Sequence, residues 1–423
     1  MLNTLKTSVH ALPYNPYWPI HQNPDRKISS ILIIGAGIAG CTTAYLLAEA
    51  GIQVRLIDSK KTPMKGASGN AQVVLFPKLS HKSSLFSDFN LSSYLYALNF
   101  YQQGNISEAF SQCGMLQLLN SDEYENANKL QTIFTENENI VQLIDAGKAS
   151  EIADTHLKHR SLWFPNSGWI NTAVIADKIL RHPNIEFIGN TTISSLTKVD
   201  TTWQLNADNK TPFQSNNIIL CNSNAANQLL PNLDLPLSTI RGQTSHISCS
   251  KPTPLNTIVC HDGYICPSIA SNDNFTCGAS YDLKDENTEI NQNSHQQNLD
   301  KLNQYLPSFS GITETVGGRV EFRCTAPDYM PIIGPVPIKT YFTKNYQTYS
   351  KNSKAHIPIT GKYEDGLFLN IAYGSRGFSS APIGAAMIKS YLLNQPYPLP
   401  FELMKAMNPA RFIIKDIIRR KHD

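Results

Sequence analysis

The sequence predicts an α/β fold: a Rossmann-like domain built from both ends of the chain, with an α+β domain on a mostly antiparallel sheet inserted between them. Three observations predict it. The segment "SSILIIGAGIAGCTTAYLLAEAGIQVRLID" alternates strand, glycine turn, helix and strand. The segment "GLFLNIAYGSRGFSSAPIGAAMIKSYLL", near the other end, repeats strand, glycine turn and helix. Between them lies a strand-rich stretch from Ile240 to Tyr281. At 423 residues the chain can bury a sizeable core and divide it between two intimately connected domains.

In chain order, residues 1–27 are rich in proline and aromatics ("LPYNPYWPIHQNP") and read as an arm over the fold. Ile31 to Ile34 form a buried parallel strand, Ile38 to Ala50 a helix stopped by Gly51, and Val54 to Ile57 the next strand. Residues 66 to 80, "GASGNAQVVLFPKLS", start as an uncharged small-residue loop and end as an apolar strand stopped by proline, with Lys78 as the single charge. Residues 88 to 135 read as helical, with Tyr94, Leu95, Leu98 and Tyr101 spaced for one face. "WFPNSGWINTAVIADKILRH" reads as a turn and a helix; "IEFIGNTTISSLTKV", "TWQLNA" and "NNIILCNSN" follow as strands. A polar helix spans Asn291 to Tyr305, and strands resume through Phe322. The expected division assigns 28–87, 151–239 and 323–400 to the Rossmann-like domain, 88–150 and 240–322 to the inserted one, and 401–423 to a basic tail.

Hydrophobic residues make up 41% and charged residues 16%, and a formal charge of +3 does not by itself argue for nucleic acid. Local charge says more. From Pro335 to Tyr363 there is no acid, while Lys339, Lys344, Lys351, Lys354 and Lys362 interleave with Tyr341, Tyr346, Tyr349 and Tyr363. The ending "RFIIKDIIRRKHD" is a second basic patch. Both read as solvated surface, or as phosphate contacts with aromatics for stacking. Eight cysteines without a CxxC pair read as free buried thiols, and no metal site is expected. The N-terminus lacks a signal-peptide pattern and no run approaches the roughly 18 apolar residues of a membrane span, so cytoplasm is expected, with no membrane contact.

Gly35-Ala36-Gly37-Ile38-Ala39-Gly40 fits GxGxxG between a strand and a helix, with Asp58 at the end of the next strand, 18 residues after Gly40, and Ser59 beside it. The first glycine permits the tight turn, the second lets backbone approach a pyrophosphate, and the third allows close helix–strand packing. The helix N-terminus offers free N–H groups to the phosphates, and Asp58 can accept from ribose hydroxyls. The motif leaves FAD and NAD both open. The uncharged loop at 66–70, where a compact NAD unit would continue into a helix, and the second glycine turn "AYGSRGFSSAP" together favour FAD.

Taken in order, "GASGNAQVVLFPKLS", "RGQTSHI", "HDGYICP", "GGRVEFRCTAPDYMPIIGPVP" and "GLFLNIAYGSRGFSSAPIGA" resemble the FAD-dependent oxidoreductase module of the tRNA wobble-uridine modification enzymes MnmC. That module belongs to the D-amino-acid-oxidase/glycine-oxidase (DAO) superfamily. The resemblance runs from about Ile28 to the end, and the "NPYWP" arm is similar to the family's interdomain segment. The family normally has Gly where Val73 stands and "NG" where Asn222-Ser223 stand; nothing before Ile28 resembles its methyltransferase half.

The resemblance implies a DAO-type FAD-binding domain and oxidation of 5-carboxymethylaminomethyl-uridine, or its 2-thio form, to 5-aminomethyl-uridine with release of glyoxylate. It implies tRNA as partner, through an anticodon stem-loop, with a separate methyltransferase acting on the product. Arg323 stands where the superfamily arginine faces the substrate carboxylate, Arg376 where a second active-site arginine stands, and Tyr264 where a tyrosine contacts substrate. An interdomain salt bridge, a phosphate or RNA contact and a core tyrosine are the respective competing readings. Non-covalent FAD is expected on Gly35 to Gly40, Asp58, Ser59, Gly66, Ala67, Ser68, Gly69, Asn70, Gln72, Val73, Asn222, Gly374, Ser375, Gly377 and Phe378, the spacing of Cys324 to Pro327 being too short for a covalent link. With tRNA implied, Lys339, Lys344, Lys351, Lys354, Arg411, Lys415, Arg419 and Arg420 become expected phosphate contacts. A free glycine or sarcosine oxidase and a non-catalytic tRNA-binding flavoprotein remain the alternatives.

Overall fold

The structure, a computed structural model, describes residues 28–419 except 209–210, 250–252, 270–273, 284, 310 and 313–314. The expected arm at 1–27 and Arg420 lie outside the described residues. A six-stranded sheet runs in the order Ile332–Pro337, Tyr363–Ile371, Ile218–Leu220, Ser30–Ile34, Gln53–Ile57, Ile185–Ile188. Its pairs are parallel except at the Ile332–Pro337 edge.

The run of apolar residues in Ser30–Ile34 follows from burial on both faces. Ile31 and Ile33 enter one core, beneath helices Ile38–Ala48, Leu85–Tyr101 and Gly377–Leu393. Leu32 and Ile34 enter the other, with Phe342, Tyr346, Tyr349 and the apolar face of helix Ala410–Ile418. The side chains alternate because successive residues of a strand point to opposite faces. Strands drawn from 30–57, 185–220 and 332–371 thus meet in one sheet.

The second sheet has nine strands among the described residues. Its path is Asp282–Leu283, Ser238–Ser248, Asn274–Gly278, Tyr264–Cys266, Ile258–Cys260, Met115–Leu118, Ser161–Phe164, Gln142–Ile144, with Gly317–Thr325 on the free side of Ser238–Ser248. It is antiparallel save for the pair of Ile258–Cys260 with Met115–Leu118. A small sheet of Gln72–Leu75, Gly168–Asn171 and Phe110–Ser111 stands apart from both.

Two expectations about the elements are corrected. The segment read as a turn before the helix Thr172–Leu180 holds the strands Ser161–Phe164 and Gly168–Asn171, which pair with distant strands. The stretch 88–135 is not one helical region: the helix ends at Tyr101, Gly104 and Gly114 take left-handed backbone (φ +49° and +74°), and Met115–Leu118 is a central strand. The apolar residues Met115, Leu116 and Leu118 satisfy a helical period only by eye. Two strands distant in sequence, Ser161–Phe164 and Ile258–Cys260, claim their backbone groups instead.

Candidate functional site

The site begins at the first glycine turn. Gly35 holds φ +100°, and a Cβ there would lie 2.6 Å from the Cys221 carbonyl oxygen, so the turn excludes any other residue. A Cβ on Gly40 would sit 1.8 Å from the Gly35 oxygen, which is how the helix presses onto its own turn. The Ala36 N–H donates to Asp58 Oδ2 at 2.6 Å and the Lys60 N–H to Asp58 Oδ1 at 2.8 Å. Asp58 is thereby fixed to the turn, and each oxygen retains a lone pair for another donor. Ser59 is exposed beside it.

The loop 66–70 closes on the same helix end. Ile38 N–H donates to Ser68 Oγ at 3.0 Å, and Gly37, the N-cap, has no capping side chain of its own. Asn222 Oδ1 is buried with no partner, and Ser223 takes φ +58°. Within the loop Gly66 and Ala67 are exposed, and Gly69 N–H bonds back to the Gly66 carbonyl at 2.9 Å. Gln72 is buried, and its amide donates to the Pro267 carbonyl at 2.8 Å, while Val73 pairs with Ile170 in the small sheet.

Sequence reasoning missed the residue that holds this loop. Arg319, on strand Gly317–Thr325 of the antiparallel sheet, donates from Nη2 to the carbonyls of Lys65 (3.0 Å) and Gly66 (2.8 Å) and from Nη1 to Asn70 Oδ1 (3.3 Å). Glu321 pairs with it at 2.6 Å, and a Cβ on Gly69 would strike the guanidinium at 2.5 Å. The signal was present: Arg319, Glu321 and Arg323 recur at period two, on one face of the strand.

Arg323, four residues on, lies across the bare backbone of Gly242, whose added Cβ would meet Nη2 at 2.5 Å. Its guanidinium stands 5.6 Å from the Tyr281 ring centroid, and Nη1 donates to the Ser280 carbonyl at 3.3 Å. Burial lowers its pKa, opposed by Tyr264, Tyr281 and Asp282. Asp282 is itself engaged by Arg241 at 3.4 Å and by the Ser280 hydroxyl at 2.7 Å. Arg323 therefore has donors to spare. Burial drives the Tyr264 phenol far up, with Arg323 pulling it back, so the hydroxyl stays protonated.

Arg376 ends the 3₁₀ turn Gly374–Arg376, with Gly374 at φ +56° and Ser375 exposed. It lies 5.3 Å from the Phe76 ring centroid, and its Nε is buried without a partner. A bridge between Thr325 and Tyr373 joins the two arginine-bearing segments. The helix that follows abuts the first one: a Cβ on Gly377 would lie 3.0 Å from Ile38 Cγ2, and buried Phe378 accepts the Tyr101 hydroxyl at 2.9 Å. Both glycine turns and both arginines thus converge on one region. Cys324 is buried, its thiol pushed up to about 11 by burial, and so is a poor nucleophile.

The expected phosphate contacts do not all stand. Arg411 is 6% exposed, and its Nε and Nη2 donate to the two oxygens of Asp328 at 3.0 and 3.1 Å. Lys415 donates to Asp328 Oδ2 at 2.6 Å. A buried guanidinium needs a fixed anion, and the loop 326–330 supplies one, so these two residues fasten the last helix to the fold. Tyr346 and Tyr349, placed for base stacking by the sequence, are buried in the core. Lys344, Lys351, Lys354 and Arg419 are exposed and Lys339 half-buried, as a phosphate contact requires.

The cradle fits a dinucleotide: a glycine turn with bare backbone at Gly37 facing Ser68, a fixed acid at Asp58, an orphaned buried oxygen on Asn222 and a second helix start at Gly377. The family model for FAD-dependent oxidoreductases (DAO) matches residues 30–390. The chain belongs to this family. FAD is its cofactor, and it is an oxidoreductase. The chain is 32% identical over 398 residues to the tRNA 5-methylaminomethyl-2-thiouridine biosynthesis bifunctional protein MnmC of Pseudomonas syringae pv. syringae (strain B728a), covering 92% of this chain and 59% of that protein. It is 31% identical over 421 residues to the protein of the same name from Chromobacterium violaceum, covering 96% of this chain and 63% of that one. The chain thus spans about three-fifths of the length of these relatives. Among solved structures, glycine oxidase from Geobacillus kaustophilus superposes with a TM-score of 0.73 at 16% identity, covering 90% of this chain and 98% of that one. Iminodiacetate oxidase from Chelativorans sp. BNC1 does so with 0.69 at 20% identity, covering 88% and 97%. No described helix is long and apolar enough to cross a membrane.

Proposed function

We propose that this chain oxidises the carboxymethylaminomethyl side chain of a tRNA wobble uridine to the aminomethyl form and releases glyoxylate. The observation that carries the proposal is Arg323, a sheltered guanidinium with one carbonyl partner and spare donors, in a chain similar along 92% of its length to the MnmC proteins. The side chain to be cut is an N-substituted glycine, so it brings one carboxylate and one amine.

Bound FAD supplies the two-electron acceptor for the methylene C–H of that glycine unit. Arg323 presents its planar fork to the carboxylate, a charge-assisted pair that contributes about 1.5–3 kcal/mol. Tyr264, protonated and beside Arg323, offers a hydroxyl donor to the same carboxylate, and the half-exposed Tyr281 ring lies 5.6 Å from the Arg323 guanidinium. These groups fix the amine and its α-carbon; orientation rather than proton abstraction is the protein's contribution. Oxidation of the C–H and N-centred lone pair to C=N, addition of water, and scission of the C–N bond then yield glyoxylate and the primary amine. Gly35 to Gly40, Asp58, Ser68, Asn70, Asn222 and Gly377 hold the cofactor, and the exposed Lys344, Lys351, Lys354 and Arg419, with Lys339, meet tRNA phosphates.

The test mixes the protein with tRNA carrying the carboxymethylaminomethyl group and follows glyoxylate and the aminomethyl nucleoside by mass spectrometry. Arg323→Ala should retain FAD and lose at least about a hundredfold in kcat/KM, about 2.7 kcal/mol of lost transition-state binding. Bleaching of the flavin by glycine or sarcosine, with no change in the tRNA, would make this a free amino-acid oxidase.

A further inference from the structure

The row of side chains that starts at Arg323 ends in a second group of cations. Arg323 acts on Tyr264, Tyr264 stands opposite Cys260 in the strand pairing, and Cys260 feels the charge of Arg376. Arg376 lies over the ring of Phe76, and Lys78, two residues further along the same segment, has its pKa lowered by burial first and by the Arg376 charge second. Lys78 Nζ in turn lies 5.7 Å from the Phe86 ring centroid.

The two ends of the row differ. Arg323 has Asp282 within its field. No carboxylate among the described residues acts on Arg376 or Lys78, and Arg376 Nε is buried with no partner. Two like charges therefore lie together in partial shelter, each making the other more costly, with only aromatic faces beneath them. Helix Gly377–Leu393 starts directly after Arg376 without a capping side chain, so its N-terminal dipole adds to the same positive field. A sheltered cationic pair of this kind is completed by an anion from outside.

We propose that Arg376 and Lys78 form a phosphate subsite, which takes a backbone phosphate of the same nucleic-acid substrate whose carboxylate reaches Arg323. The proposal rests on the tRNA reading above and deepens it. A planar fork joined to a point charge suits a tetrahedral anion with several oxygens. Exposed Lys78 forms the rim and half-buried Arg376 the floor, so the anion arrives from solvent. Glycine or sarcosine has a single carboxylate and cannot use both ends of the row. The subsite therefore selects a nucleotide over a free amino acid at the binding step.

The experiment uses the full FAD-loaded chain and isothermal titration calorimetry, with uridine 3′,5′-bisphosphate, uridine and inorganic phosphate as probes. The wild type should bind the bisphosphate at least about tenfold more tightly than uridine or inorganic phosphate, and the advantage should shrink with added salt. Lys78→Ala and Arg376→Gln should each reduce that advantage about tenfold, with flavin content and visible spectrum retained. An unchanged advantage in Lys78→Ala overturns the subsite. So does inorganic phosphate binding as tightly as the bisphosphate, which would mark a free-anion site, or loss of flavin from Arg376→Gln, which would assign that arginine to the cofactor. Bisphosphate binding of the expected pattern without glyoxylate from modified tRNA would leave the subsite standing and remove the proposed reaction.

Discussion

Arg319→Ala tests how the loop 66–70 is held. The substitution removes donors at 3.0 and 2.8 Å from the Lys65 and Gly66 carbonyls and a contact at 3.3 Å to Asn70, and it leaves Glu321 without its cation at 2.6 Å. Hydrogen bonds from a charged donor contribute about 1.5–3 kcal/mol each. One nitrogen serves both carbonyls and Glu321, and the group is 21% exposed, so the sum is nearer one strong bond than two. We take about 2–3 kcal/mol. That ordering cost passes to cofactor binding, because the freed loop must be fixed again when FAD enters. The expected result is FAD affinity weakened about 30- to 150-fold, read by flavin fluorescence on reconstituting apoprotein. Hydrogen exchange should rise at residues 66–72. Arg319→Lys should recover part of the loss, since a point charge cannot reach all the acceptors that the fork spans. FAD affinity within twofold of wild type in Arg319→Ala would refute the reasoning, because the loop would then be ordered by its own turn and by Ser68 alone.

Asp328→Asn removes the anion from buried Arg411 and should lower stability by about 3–5 kcal/mol, seen as a lower urea midpoint; an unchanged midpoint would mean that the carbonyls of Met407 and Met330 suffice. His261, stacked on Tyr305 with Nε2 buried and unpartnered, has its pKa lowered to about 4 by burial. The unfolded chain takes up its proton first, near pH 6.5, so this residue's share of stability is full at neutral pH and declines by about 3 kcal/mol as pH falls toward 4. Urea midpoints at pH 7.5 and 4.5 should converge in His261→Gln, and an identical pH slope in both proteins would contradict this. Gly384→Ala gains about 1 kcal/mol of helix propensity, but its Cβ would lie 1.9 Å from the Tyr373 hydroxyl, which bonds Asn370. Overpacking of that kind costs about 1–3 kcal/mol, so the variant should melt lower; a higher Tm would show that the tyrosine moves freely.

Much of the site was legible because its chemistry is local. Gly35 to Gly40 and Asp58 lie in one strand–turn–helix–strand unit, so the spacing of glycines and acid carries the geometry with it. The second glycine turn and its helix follow from the same short-range logic. The helix expected from Asn291 to Tyr305 forms over Gln292–Tyr305, and Asn291 turns out to be its cap rather than its first residue.

The rest depended on partners far along the chain. Met115–Leu118 became a strand because two distant strands flank it, and no local preference announces that. Arg411 and Lys415 look from sequence like free basic residues, and only the arrival of Asp328, more than eighty positions earlier, turns them inward. Arg319 meets a loop some 250 residues upstream, and the segments that carry Arg323 and Arg376 are joined by the Thr325–Tyr373 bridge. The sequence by itself determined the dinucleotide turn, the cofactor class and the family. The tertiary structure decided which cations are spent on internal carboxylates and which remain for a ligand, because burial and charge pairing are properties of the packed chain and not of its order.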